Sequence, residues 1–337
     1  MDYAVLGTSG MHVSRLVLGT ATFGVAPDKD AADRVIGAAL DAGINMIDTA
    51  NAYGNLAHFD RVGMPPAARR LSAEEIIGAT LGRRRDAVLL STKAREAVGP
   101  GVNDAGLSRR HLVEQLNHSL ERLRTDHVDL FYAHHPDPDT PLEETLYVLD
   151  ELVRAGKTRS YGLSTYPAWQ TMQALWVCDR RNLRTPACLQ VRYNLVARQV
   201  ETEIAPLADA FGLSLVAFSP IAGGLLTSAR ERARPYAGET RWGGGRFTDS
   251  QLAAAARLEE IATEWGHTPA QCALAWLLRR RGVAAAVIGP ETPEEVTASA
   301  AALPLAAALD DGRLALVDEV GAAGVLDPAP RPPATRP

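Results

Sequence analysis

Cysteine is scarce here: Cys178, Cys188 and Cys272 are the only three among 337 residues, and no two of them form a Cys-x-x-Cys pair. So small and scattered a set in a chain this long excludes a disulfide framework and fits a reducing compartment. Long hydrophobic runs are missing too. No stretch approaches the ~20 apolar residues that span a bilayer, and residues 1–10 lack the basic start and apolar core of a secretory signal, so a cytoplasmic protein with no membrane partner is expected. Charge of one sign is nowhere concentrated. The net charge is −5 and the 35 Lys and Arg residues are spread along the chain, which leaves no footprint for nucleic acid. A Gly-x-Gly-x-x-Gly turn is also absent. The first apolar run ends Leu18-Gly19-Thr20-Ala21-Thr22-Phe23-Gly24, which argues against an open, doubly wound dinucleotide fold.

What is present is a repeating alternation, in a chain whose 46% hydrophobic content is ample for a core. Eight short apolar runs, each followed by a stretch of helical periodicity, begin at Leu16, Ile44, Ala87, Val128, Ser160, Cys188, Ser214 and Ala285. Their near-continuous Val, Leu, Ile and Ala content suits parallel strands covered on both faces. Strand then helix, eight times, predicts an α/β fold of the (β/α)8 TIM-barrel type. Capping-box patterns at Ser72–Glu75, Thr140–Glu143, Thr268–Gln271 and Thr292–Glu295 mark helix starts, the last three with proline at the first helical position. Ahead of the first strand, Tyr3 to Leu6 and Met11 to Val13 flank Gly7-Thr8-Ser9-Gly10 as a β-hairpin placed to plug the bottom of the barrel. Two long connections, Gly54 to Leu71 and Ala222 to Asp249, follow strands and belong on the C-terminal rim. One domain is expected over residues 1–325, with a proline-rich, disordered tail over 326–337.

Four polar residues fall at or just past the ends of the second, third and fourth runs: Asp48, Tyr53, Lys93 and His134. Taken singly, each has an ordinary structural reading, as a turn cap, a half-buried aromatic, a surface amine and a core histidine. Together they read differently. A lysine closing the apolar run Val88-Leu89-Leu90-Ser91-Thr92 needs a partner to stay charged, and Asp48 ends the adjacent run. A phenol, with a pKa near ~10, becomes useful for proton transfer at neutral pH when a cation stabilises its phenolate, and Lys93 would be that cation. His134 would orient a carbonyl oxygen and share its developing charge. No metal-ligand pattern stands out.

The segments Asp48-Thr49-Ala50-Asn51-Ala52-Tyr53-Gly54, Leu90-Ser91-Thr92-Lys93, Asp129 to His134, Gly156 to Ser164, Leu189 to Asn194 and Phe218 to Leu226 resemble, in order, the signatures of the aldo-keto reductase superfamily. The likeness runs from about Tyr3 to Leu303. It is nearest to the bacterial sugar-nucleotide and secondary-metabolite reductases and to the potassium-channel β-subunits. The resemblance implies an NADP(H)-dependent oxidoreductase that reduces a ketone, aldehyde or sugar-derived carbonyl. In it Tyr53 is the proton donor, Lys93 and Asp48 tune that donor, and His134 positions the carbonyl. It further implies that Ser164 and Gln190 meet the nicotinamide amide, with Thr165 where asparagine is more usual. Phe218 would stack on the ring, and Ser219, Ile221, Gly223 and Leu225 would line the pyrophosphate through backbone groups. Arg246 would fold over it, while Gly19, Thr20 and Gly289 would complete the lining.

The adenosine end departs from the pattern. Ile288-Gly289-Pro290-Glu291-Thr292-Pro293-Glu294-Glu295 carries Glu291 where the family often has arginine and Glu295 where it has glutamine, and Ala298-Ser299 replaces a Glu-Asn pair. A carboxylate repels a 2′-phosphate but accepts hydrogen bonds from a ribose 2′-hydroxyl, so NAD(H) is a serious alternative to NADP(H). Glu294 and Glu295 also suit a helix N-terminus as such. The partner expected is a small carbonyl or alcohol, and a homo-oligomer is compatible with the sequence. Two other functions fit the same residues. One is a nicotinamide-binding regulatory subunit. The other is a barrel lyase or isomerase using Tyr53 and Lys93 without net redox.

Overall fold

Each of the eight apolar runs is a strand in the computed structural model of the chain, which describes residues 1–55, 57, 60, 64–234 and 247–322. The strands are β3 (Leu16–Gly19), β4 (Met46–Asp48), β5 (Leu89–Ala94), β6 (Val128–Ala133), β7 (Thr158–Ser164), β8 (Cys188–Arg192), β9 (Ser214–Phe218) and β10 (Val283–Ile288). All neighbours pair in parallel, and the sheet closes in the order β10-β3-β4-β5-β6-β7-β8-β9, with β9 returning to β10. β6 and β10 are buried at every residue, as strands walled by helices outside and side chains inside must be.

The hairpin pairs β1 (Tyr3–Val5) with β2 (His12–Ser14), Tyr3 facing Ser14. Its Leu6 and Val13 are fully buried and join Val17, Met46, Leu130 and Val216 in filling the barrel. The Gly7 N–H donates to Ser214 Oγ at 2.7 Å, and the Ser14 N–H donates to Asn45 Oδ1 at 2.8 Å. Both acceptors stand where β9 and β4 begin, so the hairpin closes the N-terminal end. Gly7 has φ +51°, and a Cβ there would fall 1.9 Å from the Ala187 carbonyl oxygen, so no other residue fits. The Arg15 guanidinium donates to the carbonyls of Val283 at 2.6 Å, Ala284 at 3.1 Å and Leu278, sewing the start of β3 to β10.

Helices cover the outside: α1 (Lys29–Asp41), α2 (Ala73–Leu81), α3 (Arg109–Leu123), α4 (Leu142–Arg154), α5 (Ala168–Arg181), α6 (Ile204–Ala210), α7 (Ala229–Arg232), α8 (Asp249–Glu264), α9 (Pro269–Leu278), α10 (Pro293–Ala300), α11 (Ala302–Ala308) and α12 (Asp311–Ala322). The expected capping boxes form at Ser72–Glu75 and Thr268–Gln271. Two expectations are corrected. At α4 the cap residue is Pro141, which has no side-chain cap to offer, and the Thr140 hydroxyl donates to Asp137 at 2.7 Å. At α10 Thr292 does cap the Glu295 N–H, but the Glu295 carboxylate reaches past the cap to accept the Glu291 N–H at 2.7 Å, leaving half a box. The proline-rich tail lies outside the described residues.

Candidate active site

Strand register brings the charged pair together. Asp48 ends β4 opposite Ser91, and Lys93 lies two residues further along β5 on the same face. Lys93 Nζ donates to Asp48 Oδ2 at 2.5 Å and to the Thr49 carbonyl at 2.8 Å. Asp48 Oδ1 accepts from Ser91 Oγ at 2.7 Å and Gln190 Nε2 at 3.0 Å. The lysine side chain is 0% exposed and the aspartate 4%, so this is a buried ion pair whose remaining polar atoms are met by hydrogen bonds. Burial pulls the Lys93 pKa down, but the Asp48 charge beside it, helped by Tyr53, outweighs this and holds the ammonium above its ordinary value.

Half-buried Tyr53 stands over this pair. Lys93 Nζ lies 4.8 Å from its ring centroid, and its hydroxyl is 3.5 Å from His134 Nε2. Burial pushes the phenol's pKa up, and Lys93 takes back only part of that rise. The expected stabilisation of the phenolate is therefore present but is not the larger effect, and Tyr53 holds its proton. Burial, reinforced by the positive charge of Lys93, pushes His134 well below the usual imidazole range, so the ring is neutral. A held phenolic proton and a neutral imidazole thus meet above a fixed cation.

The residues assigned to a dinucleotide occupy the next arc of the same rim. Ser164 ends β7, Gln190 lies in β8, Phe218 ends β9, Gly289 follows β10, and Gly19 ends β3, five strands adjacent around the barrel. Ser219, Ala222, Gly223 and Gly224 after β9 all have positive φ, and the Ala222 and Gly224 N–H groups close the turn on the Ser219 and Ile221 carbonyls at 2.9 and 3.0 Å. A Cβ on Gly289 would meet nothing within 4 Å, so the backbone there is open to a ligand. This rim fits a dinucleotide. Several assigned residues do structural work as well. The Thr20 hydroxyl donates to the Asp48 carbonyl at 3.0 Å and is fully buried. Gln190 gives its amide to Asp48. The Leu225 side chain is in the core, and its N–H donates to the Ala222 carbonyl at 3.2 Å. Arg246 lies outside the described residues.

Glu291 and Glu295 stand at the start of α10, where the Glu291 N–H donates to Glu295 Oε2 at 2.7 Å and Glu295 Oε1 meets Arg234 Nη1 at 3.3 Å. In the insert after Tyr53, Arg70 is 2% exposed, donating to Asp60 at 2.6 Å and to the Gly54 carbonyl at 2.9 Å. It staples the insert. His58, Phe59 and Arg61 lie outside the described residues. Sequence reasoning missed Ser91 as a partner of Asp48, although its i, i+2 spacing from Lys93 placed it on the right face. It also missed Glu96 and His135, which crowd His134 from the loops after β5 and β6.

The closed parallel barrel is a (β/α)8 fold with a buried polar site at its C-terminal rim. Comparison with known proteins narrows it, since residues 15–322 match the model of the Aldo/keto reductase family. The chain is 36% identical over 303 residues to an uncharacterized oxidoreductase, YrpG, of Bacillus subtilis (strain 168), covering 88% of this chain and 89% of that one. It is 35% identical over 316 residues to a probable voltage-gated potassium channel subunit beta of Oryza sativa subsp. japonica, covering 90% and 91%. A protein of the same description from Arabidopsis thaliana is 35% identical over 309 residues, covering 88% and 89%. The chain belongs to the aldo/keto reductase family, whose chemistry is nicotinamide-dependent carbonyl reduction. No helix among the described residues is long and apolar enough to cross a membrane.

Proposed function

We propose that the protein reduces a ketone, aldehyde or sugar-derived carbonyl to an alcohol, with Tyr53 as proton donor. The observation that carries this reading is the Tyr53 hydroxyl, protonated, 3.5 Å from a neutral His134 and above Lys93. Ser164, Gln190 and Phe218 would hold a nicotinamide, which would supply the hydride for the carbonyl carbon. His134 hydrogen-bonds the carbonyl oxygen, and Tyr53 gives that oxygen its proton as negative charge builds. Lys93, fixed by Asp48, offsets the charge left on the phenolate. Water is held off by the buried walls of β4 to β6.

The cofactor proposed is NADP(H), as the family resemblance implies, with NAD(H) as the alternative that Glu291 and Glu295 raise. Glu291 and Glu295 support NAD(H), because a carboxylate accepts from a ribose 2′-hydroxyl and repels a 2′-phosphate. Arg234 is the cation that favours NADP(H), and it is already engaged by Glu295. Fluorescence titration with NADH and NADPH side by side tests both points without knowledge of the substrate. Tight binding of either supports the reductase, and binding of neither refutes it. Glu291→Arg is expected to shift the affinity ratio toward NADPH, by about tenfold for a change of ~1.4 kcal/mol. An unmoved ratio would show that Glu291 does not face the 2′ position. A second reading, a nicotinamide-binding regulatory subunit, is favoured by the description of the two plant relatives. Dinucleotide binding without turnover of any carbonyl would select it.

A further inference from the structure

His134 presents one ring nitrogen to Tyr53, while the other, Nδ1, is buried and has no hydrogen-bond partner, and His134 itself is only 9% exposed. Glu96 Oε1 is likewise buried and without a hydrogen bond, and it lies 3.4 Å from His135 Nε2. The Thr165 hydroxyl explains why that contact is electron-rich. It has one hydrogen and two carbonyls in reach, Ser164 at 2.7 Å and His134 at 3.4 Å. With that hydrogen on a carbonyl, His135 Nδ1 is the donor in its 2.6 Å contact with Thr165 Oγ1, and Nε2 keeps a lone pair toward the Glu96 carboxylate. The two imidazoles are stacked, with centroids 4.7 Å apart, so both are fixed. One donor atom from each of Glu96, His134 and His135 lies within 4.8 Å of the other two.

We propose that Glu96, His134 and His135 form a site for a divalent transition metal of the zinc class at the mouth of the active site. Two imidazoles and one carboxylate are a ligand set that zinc accepts while keeping an outer position open to water. Glu96 and His135 are partly exposed, which gives an ion a way in. The nearest opposing charges are Lys93, held by Asp48, and Arg95, whose Nη1 is 3.9 Å from Glu96 Oε2 and leaves Oε1 free for the metal. Coordination through Nδ1 would leave Nε2 facing Tyr53, so an effect of the ion on turnover rests on the reductase reading above, whereas the binding does not.

The test is equilibrium dialysis of the full chain against ZnCl2, with the visible spectrum of the Co2+ form as a report on geometry. One ion per chain with a tetrahedral or five-coordinate cobalt spectrum is expected. Glu96→Gln and His135→Gln should each weaken binding about tenfold or more, and both together should abolish it. No binding by the wild-type chain, or undiminished binding by the double variant, would overturn the proposal. Because no turnover is measured, a failure here leaves the dinucleotide titration standing, and a failure there leaves this site standing.

Discussion

Replacing Asp48 by leucine isolates the buried pair. The carboxylate accepts from Lys93 at 2.5 Å, Ser91 at 2.7 Å and Gln190 at 3.0 Å, so its loss strands three donors. Lys93 keeps only the Thr49 carbonyl at 2.8 Å, in surroundings that leave it 0% exposed. Removing one partner of a buried pair costs about 3–5 kcal/mol. A second route gives the same scale, because the fold can escape by neutralising the lysine, and at pH 7 that costs about 5 kcal/mol from a reference pKa of ~10.4. Urea unfolding of Asp48→Leu should therefore show a loss of about 3–5 kcal/mol. Asp48→Leu/Lys93→Met should recover about 2 kcal/mol of it, since an apolar pair of similar volume is close to neutral, leaving about 1–3 kcal/mol for the donors still stranded. Turnover should stay lost in both. A single-variant loss below ~1 kcal/mol, or a double variant no more stable than the single one, would refute the charged pair.

Tyr53→Phe should lower turnover by about 10²–10⁴, the usual worth of a positioned acid, while NADH or NADPH binding is unchanged; equal loss of binding would make Tyr53 structural. Gly78→Ala would set a Cβ 2.1 Å from the Arg122 carbonyl oxygen, where α2 lies against the end of α3. It should destabilise by about 1–3 kcal/mol in a thermal melt, and an unchanged Tm would mean the helices do not meet this closely. For Asp150, burial would raise the pKa, but the Arg184 N–H and the Arg154 and Arg184 guanidiniums outweigh it and hold the carboxyl below its ordinary range. A depressed native pKa stabilises above the unfolded value of ~3.9 and is lost as pH falls through the native one. Asp150→Asn should thus flatten the acid limb of the stability curve, and a wild-type-to-variant gap that stays constant from about pH 6 to 3 would contradict this.

The barrel was readable because each strand is an apolar run short enough to be a strand and bounded by turn residues, and because closure follows from eight repeats. Asp48, Lys93 and His134 were readable because polar groups at the ends of such runs stand out. Capping depended on neighbours that spacing does not show: α4 starts one residue late, at a Pro141 cap, with the Thr140 hydroxyl donating to Asp137, and the Glu295 carboxylate accepts from the Glu291 amide. Glu96 and His135 belong to two different loops, and only the β5–β6 pairing makes them neighbours. Thr165 shows a similar limit. Its φ of 59° is a left-handed conformation that asparagine tolerates and a β-branched residue resists, which gives a physical reason for the asparagine usual there, but no local pattern announces the conformation.

The Arg15 clasp has a kinetic meaning. Its contact with Val283 spans 268 residues of sequence, and closing a loop of that length costs about 5 kcal/mol in chain entropy. Nothing repays that cost until β10 has docked on β3. Before then the sheet has two unpaired parallel edges, the apolar β3 at one side and the last strand to dock at the other. Such edges recruit other chains as readily as their own. Refolding yield, rather than equilibrium stability, is the property of this barrel most exposed to protein concentration.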